Sequence, residues 1–296
     1  MSDSVIQINK KCGQTPLDCI NEIKKEHPEM SHLPLTYAGR LDPLAEGVLL
    51  ILVGDECLKK DEYLALPKEY ELEVLFGFET DTYDLMGKVE EVTPSPCQFL
   101  GSRTREEEGL DHKNWHGDFV PKIQDVQLET SNTCSNRCWT SEELEESLSQ
   151  FTGRITQAYP PYSSRTVNGK PLFQWARDGK LDEIIIPSHD VFVKSIEIIN
   201  DDFISGANIL KKIKKDIGSV KGDFRQEEII SIWSDVLKNE LENKYQVITL
   251  RIACGGGVYV RSIAHCLGKA LGTSALALNI KRTKVGEYKI ADVQHP

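Results

Sequence analysis

The chain has 296 residues, 40% of them hydrophobic and 27% charged, and a formal net charge of −11. That profile belongs to a soluble globular protein long enough for one large or two ordinary domains. It argues against a nonspecific nucleic-acid binder but permits a local basic cleft. No apolar run reaches the length needed to cross a bilayer. The opening MSDSVIQINKK lacks a basic head leading into an apolar stretch, so a cytoplasmic protein without a secretory signal is expected. The eight cysteines are scattered through the chain and do not suggest a secreted disulfide framework.

Residues 5–10 (VIQINK) alternate and predict a strand. A turn through Cys12 and Gly13 leads to Thr15, an N-cap candidate with Pro16 at the first helical position. Leu17, Ile20 and Ile23 are expected on the buried face of that helix. The stretch from Tyr37 to Leu50 contains Gly39-Arg40-Leu41-Asp42-Pro43 and then Gly47. Pro43 restricts the backbone at Asp42, and the run Val48 to Val53 reads as a buried strand or short buried helix. Asp42 is either a turn or cap residue or a reactive acid held on a rigid loop.

Tyr70, Leu72, Val74 and Phe76 alternate along residues 69–77, a half-buried strand. Tyr70 opens it, either packed on the core or facing a ligand. A polar loop from Glu79 to Gly87 follows. Residues 95–139 lack a period and read as an insertion or long loop. They hold His112, His116, Cys134 and Cys138, which could ligate zinc, but at spacings unlike a standard finger, so no metal is expected. Thr140 and Glu143 form a capping-box pattern, with Leu144, Leu148 and Phe151 at helical spacing up to Gly153. Residues 183–199 suggest two strands split by Pro187-Ser188-His189-Asp190. Residues 201–243 read as a second insertion, with a basic run, Lys211 to Lys215, on a solvated face and an amphipathic helix at Ile229, Ile230, Trp233 and Leu237. Residues 246–253 alternate as a strand, followed by Gly255-Gly256-Gly257, Tyr259, Arg261 and a helix with Leu267 and Leu271. Lys59, Lys60 and the run Lys281-Arg282-Thr283-Lys284 are further candidates for a basic groove.

Several of these stretches resemble one family. Gly39 to Leu49 fills every fixed position of G-x-L-D-P-x-A-x-G-x-L, the catalytic loop of the TruB family of pseudouridine synthases. The block from Lys68-x-Tyr70 through Thr80-Asp81-Thr82-x-Asp84-x-x-Gly87 is similar to that family's pattern, as is the opening strand, Lys-x-x-Gly turn and helix, with Lys11 where a proline is usual. Gln157 to Gly179 resembles its Q-x-P-P-x-x-S-A-x-K-x-x-G…L-Y-x-x-A-R-x-G block. Here the loop is one residue shorter, and Thr166 stands where lysine is usual, with Arg165 as a charge substitute. Cys254 to Ala264 resembles C-S-x-G-T-Y-I-R-S-L-A, and Ala275 to Gly286 the closing motif, with Ile280 in place of a leucine.

The resemblance implies an α+β fold, a central mixed and mostly antiparallel sheet with flanking helices and a central cleft. It implies one catalytic domain over residues 1–296 with insertions near 95–139 and 201–243, without the C-terminal PUA-type RNA-binding module of many relatives. The activity implied is isomerisation of a uridine in RNA, by default the T-loop uridine 55 of tRNA, without a cofactor. Asp42 is then the nucleophile or base. Arg261 steadies its charge and rotamer, and Tyr70 stacks on the uracil and handles a proton. Tyr259 and Ile280 complete the pocket, while Arg40 and Arg165 meet the RNA. Tyr37 takes the place of the family's His beside the nucleophile, the element that fills the gap left when the target base is extruded. A monomer acting on RNA and not on membranes is expected. The competing readings are an RNA-binding folding chaperone without catalysis and a carboxylate-dependent hydrolase of small nucleosides.

Overall fold

A computed structural model describes residues 4–93 and 139–292. In chain order its strands and helices are β1 (Val5–Lys10), α1 (Pro16–Glu26), β2 (Leu35–Ala38), β3 (Glu46–Val53), α2 (Lys60–Ala65), β4 (Lys68–Phe76), β5 (Phe78–Thr80) and β6 (Val89–Val92). Then come α3 (Ser141–Ser149), β7 (Gly153–Ala158), β8 (Thr166–Val167), β9 (Lys170–Pro171), α4 (Leu172–Arg177) and β10 (Ser188–Ser205). The chain closes with α5 (Gly206–Ser219), α6 (Gln226–Leu237), β11 (Lys244–Cys254), α7 (Val260–Ala270), β12 (Ala275–Val285) and β13 (Tyr288–Lys289). His112, His116, Cys134 and Cys138, and all but the last residue of the first insertion, lie outside the described residues.

A nine-stranded sheet runs β1-β3-β12-β4-β11-β10-β7, with β2 added to β3 and β13 to β12. Its pairings are antiparallel except β3 with β12, where Gly47 lies opposite Arg282. The architecture is α+β, a mixed and mostly antiparallel sheet. The alternation along β4 decides how it is covered. Tyr70, Leu72, Val74 and Phe76 join a core with Leu144 and Leu148 of α3 and Ile263, Ala264 and Leu267 of α7. Leu75 points the other way, into a core with Ile209, Ile213 and Ile217 of α5 and Trp233 and Leu237 of α6. The second insertion is therefore the apolar cover of one sheet face. Lys211, Lys214 and Lys215 lie on the exposed side of α5, as a solvated basic face requires.

Both capping boxes form. Thr15 Oγ accepts from Asp18 N–H and Thr140 Oγ from Glu143 N–H, and the acidic partner accepts from the cap N–H in return. Several local expectations change. Leu17 is 61% exposed, and the buried face of α1 is instead Pro16, Cys19, Ile20 and Ile23. Leu17 and Ile23 are six residues apart, about 240° around a helix, so they cannot share a narrow face. The Val48 run is a strand, fixed by pairing on both sides. Residues 184–187 form no strand, and the two expected strands reduce to β10. That strand runs on through residues 201–205, paired with β11 across two register shifts, so the second insertion begins inside the sheet.

Candidate active site

Asp42 lies on the loop between β2 and β3. Gly39, at φ +84°, turns the chain out of β2. Gly47, at φ +111°, lets β3 approach β12 so closely that a Cβ there would meet the Arg282 carbonyl oxygen at 2.2 Å. Only glycine satisfies both the backbone and the spacing at Gly47. Between them the loop is held from beneath. Asp42 O accepts from Ala45 N–H at 3.0 Å, and Pro43 O accepts from Gly13 N–H at 2.9 Å. Lys10, fully buried at the end of β1, donates its ammonium to Pro43 O and Lys11 O, each at 3.2 Å, and to Ala45 O. Burial pulls that ammonium down to about 8. A charge spent on three carbonyls satisfies its buried donors and fixes the loop.

Arg261, in the first turn of α7, is 4% exposed and reaches the same point from the other side. Its Nη1 donates to Thr82 O at 3.1 Å and its Nη2 to Tyr162 O at 3.0 Å. Its Nε lies 3.4 Å from Asp42 Oδ2, and its Nη1 lies 3.9 Å from Asp84 Oδ2. The Asp42 contact is an ion pair without a hydrogen bond, because Nε–H has no acceptor in bonding geometry among the described residues. Asp84 is buried, and it accepts from Thr82 Oγ at 2.7 Å and from Met86 N–H at 2.9 Å. Burial pushes its carboxyl up to about 6, opposed by Arg261 and reinforced by Asp42.

These groups line a cleft of about 520 Å³ whose walls also include Tyr70, Tyr259, Ile280 and Arg40, a size suited to a nucleotide-scale ligand. Tyr70 is 7% exposed on β4, and burial raises its phenol pKa. Arg282 steadies the same end, donating Nε to Val48 O at 2.8 Å and Nη2 to Gly39 O at 2.9 Å. Lys68 donates to Leu64 O and Leu66 O at 2.8 and 2.6 Å. Tyr259 caps α7. Its N–H donates to Gln157 Oε1 at 2.8 Å, Gln157 Nε2 donates back to Tyr259 O at 3.0 Å, and its ring lies 5.9 Å from the Arg261 guanidinium.

The cleft lining therefore unites Asp42, Tyr70, Arg261, Tyr259, Ile280 and Arg40. Two expected contacts lie outside it. The Tyr37 ring packs against the cluster formed by α1 and β3 beneath the Lys60 ammonium, 5.2 Å from its centre. Arg165 is exposed and its guanidinium lies over the Tyr159 ring, 5.1 Å from its centre. Of the Lys281–Lys284 run only Arg282 faces the cleft, and Lys59 does not. Cations nonetheless dominate the lining, with Arg40, Lys68, Arg177, Arg225, Arg261 and Arg282 against Asp42, Asp84 and Asp223. An acidic chain thus carries a basic groove. Asp84 and Lys10 stand within the stretches that carry the family resemblance, but no local pattern marks either as part of the site. The sequence has no signal for Arg225, which comes from the second insertion. Among the described residues no cluster of three or more His, Cys, Asp or Glu side chains could hold a metal ion.

The mixed, mostly antiparallel sheet and a basic cleft lined by an arginine paired with a loop carboxylate accord with the pseudouridine synthase class, which the family comparison establishes. The chain matches the TruB family pseudouridylate synthase N-terminal domain over residues 32–106 and 118–218, more than half of its length, and it belongs to that family. It is 27% identical over 292 residues to tRNA pseudouridine synthase B of Borreliella afzelii (strain PKo), covering 99% of this chain and 73% of that relative. It is also 26% identical over 370 residues to tRNA pseudouridine synthase 4 of Schizosaccharomyces pombe, covering 99% and 81%. A crystal structure of a Cbf5-Nop10-Gar1 complex is similar at 17% identity and a TM-score of 0.48, with 96% of this chain and 49% of that chain covered. The chain spans about half the length of that solved protein.

Proposed function

We propose that this protein converts a uridine in RNA to pseudouridine, that its substrate is the T-loop uridine 55 of tRNA, and that Asp42 is the nucleophile or base. The observation that carries this reading is the Asp42–Arg261 pair at 3.4 Å, in a cleft that Tyr70 also lines. The family membership and the tRNA-modifying relatives support the substrate class. In the reaction the N1–C1′ bond of the nucleotide breaks, the uracil turns, C5 bonds to C1′, and the proton lost from C5 is balanced by one gained at N1. A carboxylate close to the sugar starts this either by attacking carbon or by removing a sugar proton. Both routes need the acid in one rotamer, which the guanidinium supplies. A stacked uridine must leave its helix to enter the cleft, and Arg40, exposed on the lining, offers a contact for a neighbouring phosphate. Tyr70 offers a ring for the freed base to stack on. The protein acts as a monomer in the cytoplasm, on the T-arm of tRNA, without a cofactor. Mapping pseudouridine in an unmodified tRNA before and after incubation with the protein tests the reading. A new pseudouridine at the T-loop position is expected, whereas RNA that binds but stays unmodified would instead identify a chaperone.

A further inference from the structure

The two carbonyls that hold Arg261 belong to segments far apart in sequence, Thr82 in the loop after β5 and Tyr162 in the loop after β7. One residue ties these segments together, and it comes from the second insertion. Arg225, between α5 and α6, donates Nη1 to Asp81 Oδ2 at 2.7 Å and to the Tyr162 hydroxyl at 2.8 Å. Its guanidinium also stacks on the Tyr162 ring, 4.5 Å from the centre. Asp81 directly precedes Thr82, so Arg225 grips the neighbour of one acceptor of Arg261 and the side chain of the other.

The insertion is built to hold it there. Arg225 sits at φ +64°, a left-handed conformation that a non-glycine residue adopts only where its surroundings impose it. Arg177 of α4 donates to the adjacent Asp223 O at 2.9 Å. Lys88, at the far end of the loop that contains Asp81, pairs with Glu228 of α6 at 2.6 Å. The Arg225 side chain is 18% exposed and that of Asp81 14%, so the pair is shielded enough to hold one geometry, unlike a freely solvated surface pair.

We propose that Arg225 is a positioning residue: through Asp81 and Tyr162 it sets the spacing of the Thr82 and Tyr162 carbonyls and so aims Arg261 at Asp42. The second insertion thereby covers the sheet and also completes the site from outside the family's motifs. The proposal rests on the pseudouridine synthase reading for its effect on rate, but the arrangement of Arg261 can be read without turnover. Displacing a catalytic group by about an ångström lowers rates on the order of a hundredfold.

The test uses the whole chain with R225A, R225K and D81N. Single-turnover isomerisation and RNA binding are measured separately, and the Arg261 Nε–H signal is followed by NMR on 15N-arginine-labelled protein, assigned with R261K. For R225A we expect a rate constant lower by about tenfold to a hundredfold, RNA affinity changed less than about threefold, and a shifted Arg261 signal. D81N should behave alike, R225A/D81N should lose little more than either single variant, and R225K should recover part of the rate. An unchanged Arg261 signal in R225A overturns the proposal, whatever the rate does. A loss confined to RNA affinity also overturns it, because Arg225 would then be an RNA contact. A wild-type protein that modifies no uridine, with the Arg261 signal still shifted in R225A, would sink the enzymatic reading while leaving the brace standing.

Discussion

Replacing Arg261 with methionine tests the electrostatics of the site most severely. The change removes two hydrogen bonds, to Thr82 O at 3.1 Å and to Tyr162 O at 3.0 Å, and leaves Asp84 buried without its cation. Asp42 also loses its partner, but its side chain is 32% exposed, and water screens it. Removing one member of a buried ion pair typically costs about 3–5 kcal/mol. The loss should depend on pH in a definite direction. Asp84 in the folded protein titrates near 6, above an ordinary carboxyl, so between about pH 4 and 6 the folded state holds more protons than the unfolded state. Stability from this group is therefore present at low pH and is lost as pH rises through 6. Without Arg261 to oppose the effect of burial, the folded pKa climbs further and the lossy window extends upward. The stability gap between wild type and R261M should widen from pH 6 to pH 8, by about 1.4 kcal/mol for each unit of additional shift. Urea denaturation at pH 5.5, 7 and 8 measures it. A gap that is flat with pH, or smaller than about 1 kcal/mol at pH 8, would refute the view that Arg261 neutralises a buried Asp84.

Further outcomes follow from packing. Trp233 is fully buried in the core between α6 and the sheet and donates its indole N–H to Gly87 O at 3.3 Å. W233A should destabilise the fold by about 3–5 kcal/mol in urea denaturation, and a loss below about 1 kcal/mol would mean that the insertion is not an integral cover of the sheet. G47A places a methyl against the Arg282 carbonyl in a left-handed backbone. It should lower stability by at least about 2 kcal/mol and turnover with it, as calorimetry and a single-turnover assay would show. An unperturbed G47A would mean that the approach of β3 to β12 is looser than described.

The sequence exposed the parts whose signal is local. Thr15 and Thr140 sit in capping patterns that form as expected, and the period of two along Tyr70, Leu72, Val74 and Phe76 identified a strand and its buried face. Asp42, Tyr70 and Arg261 stand out through family motifs, although no periodicity hints that α7 would carry Arg261 to the β2–β3 loop. What stayed hidden depends on tertiary pairing. The nature of the Val48 run was open until its neighbours β1, β2 and β12 fixed it as a strand. Tyr37 occupies a motif position and Arg165 stands beside one, but the first packs against the cluster of α1 and β3 and the second lies over Tyr159. Arg225 carries no signal at all, because its importance comes from contacts with residues 81 and 162, more than sixty positions away.

The most direct measurement of the central claim is the release of tritium from [5-³H]uridine in an unmodified tRNA by wild type and D42N, with RNA affinity determined in parallel. If Asp42 starts the reaction, wild type releases tritium at the T-loop uridine, D42N releases none above background, and the two affinities lie within about threefold of each other. Release by D42N at a rate near wild type would contradict that role for Asp42.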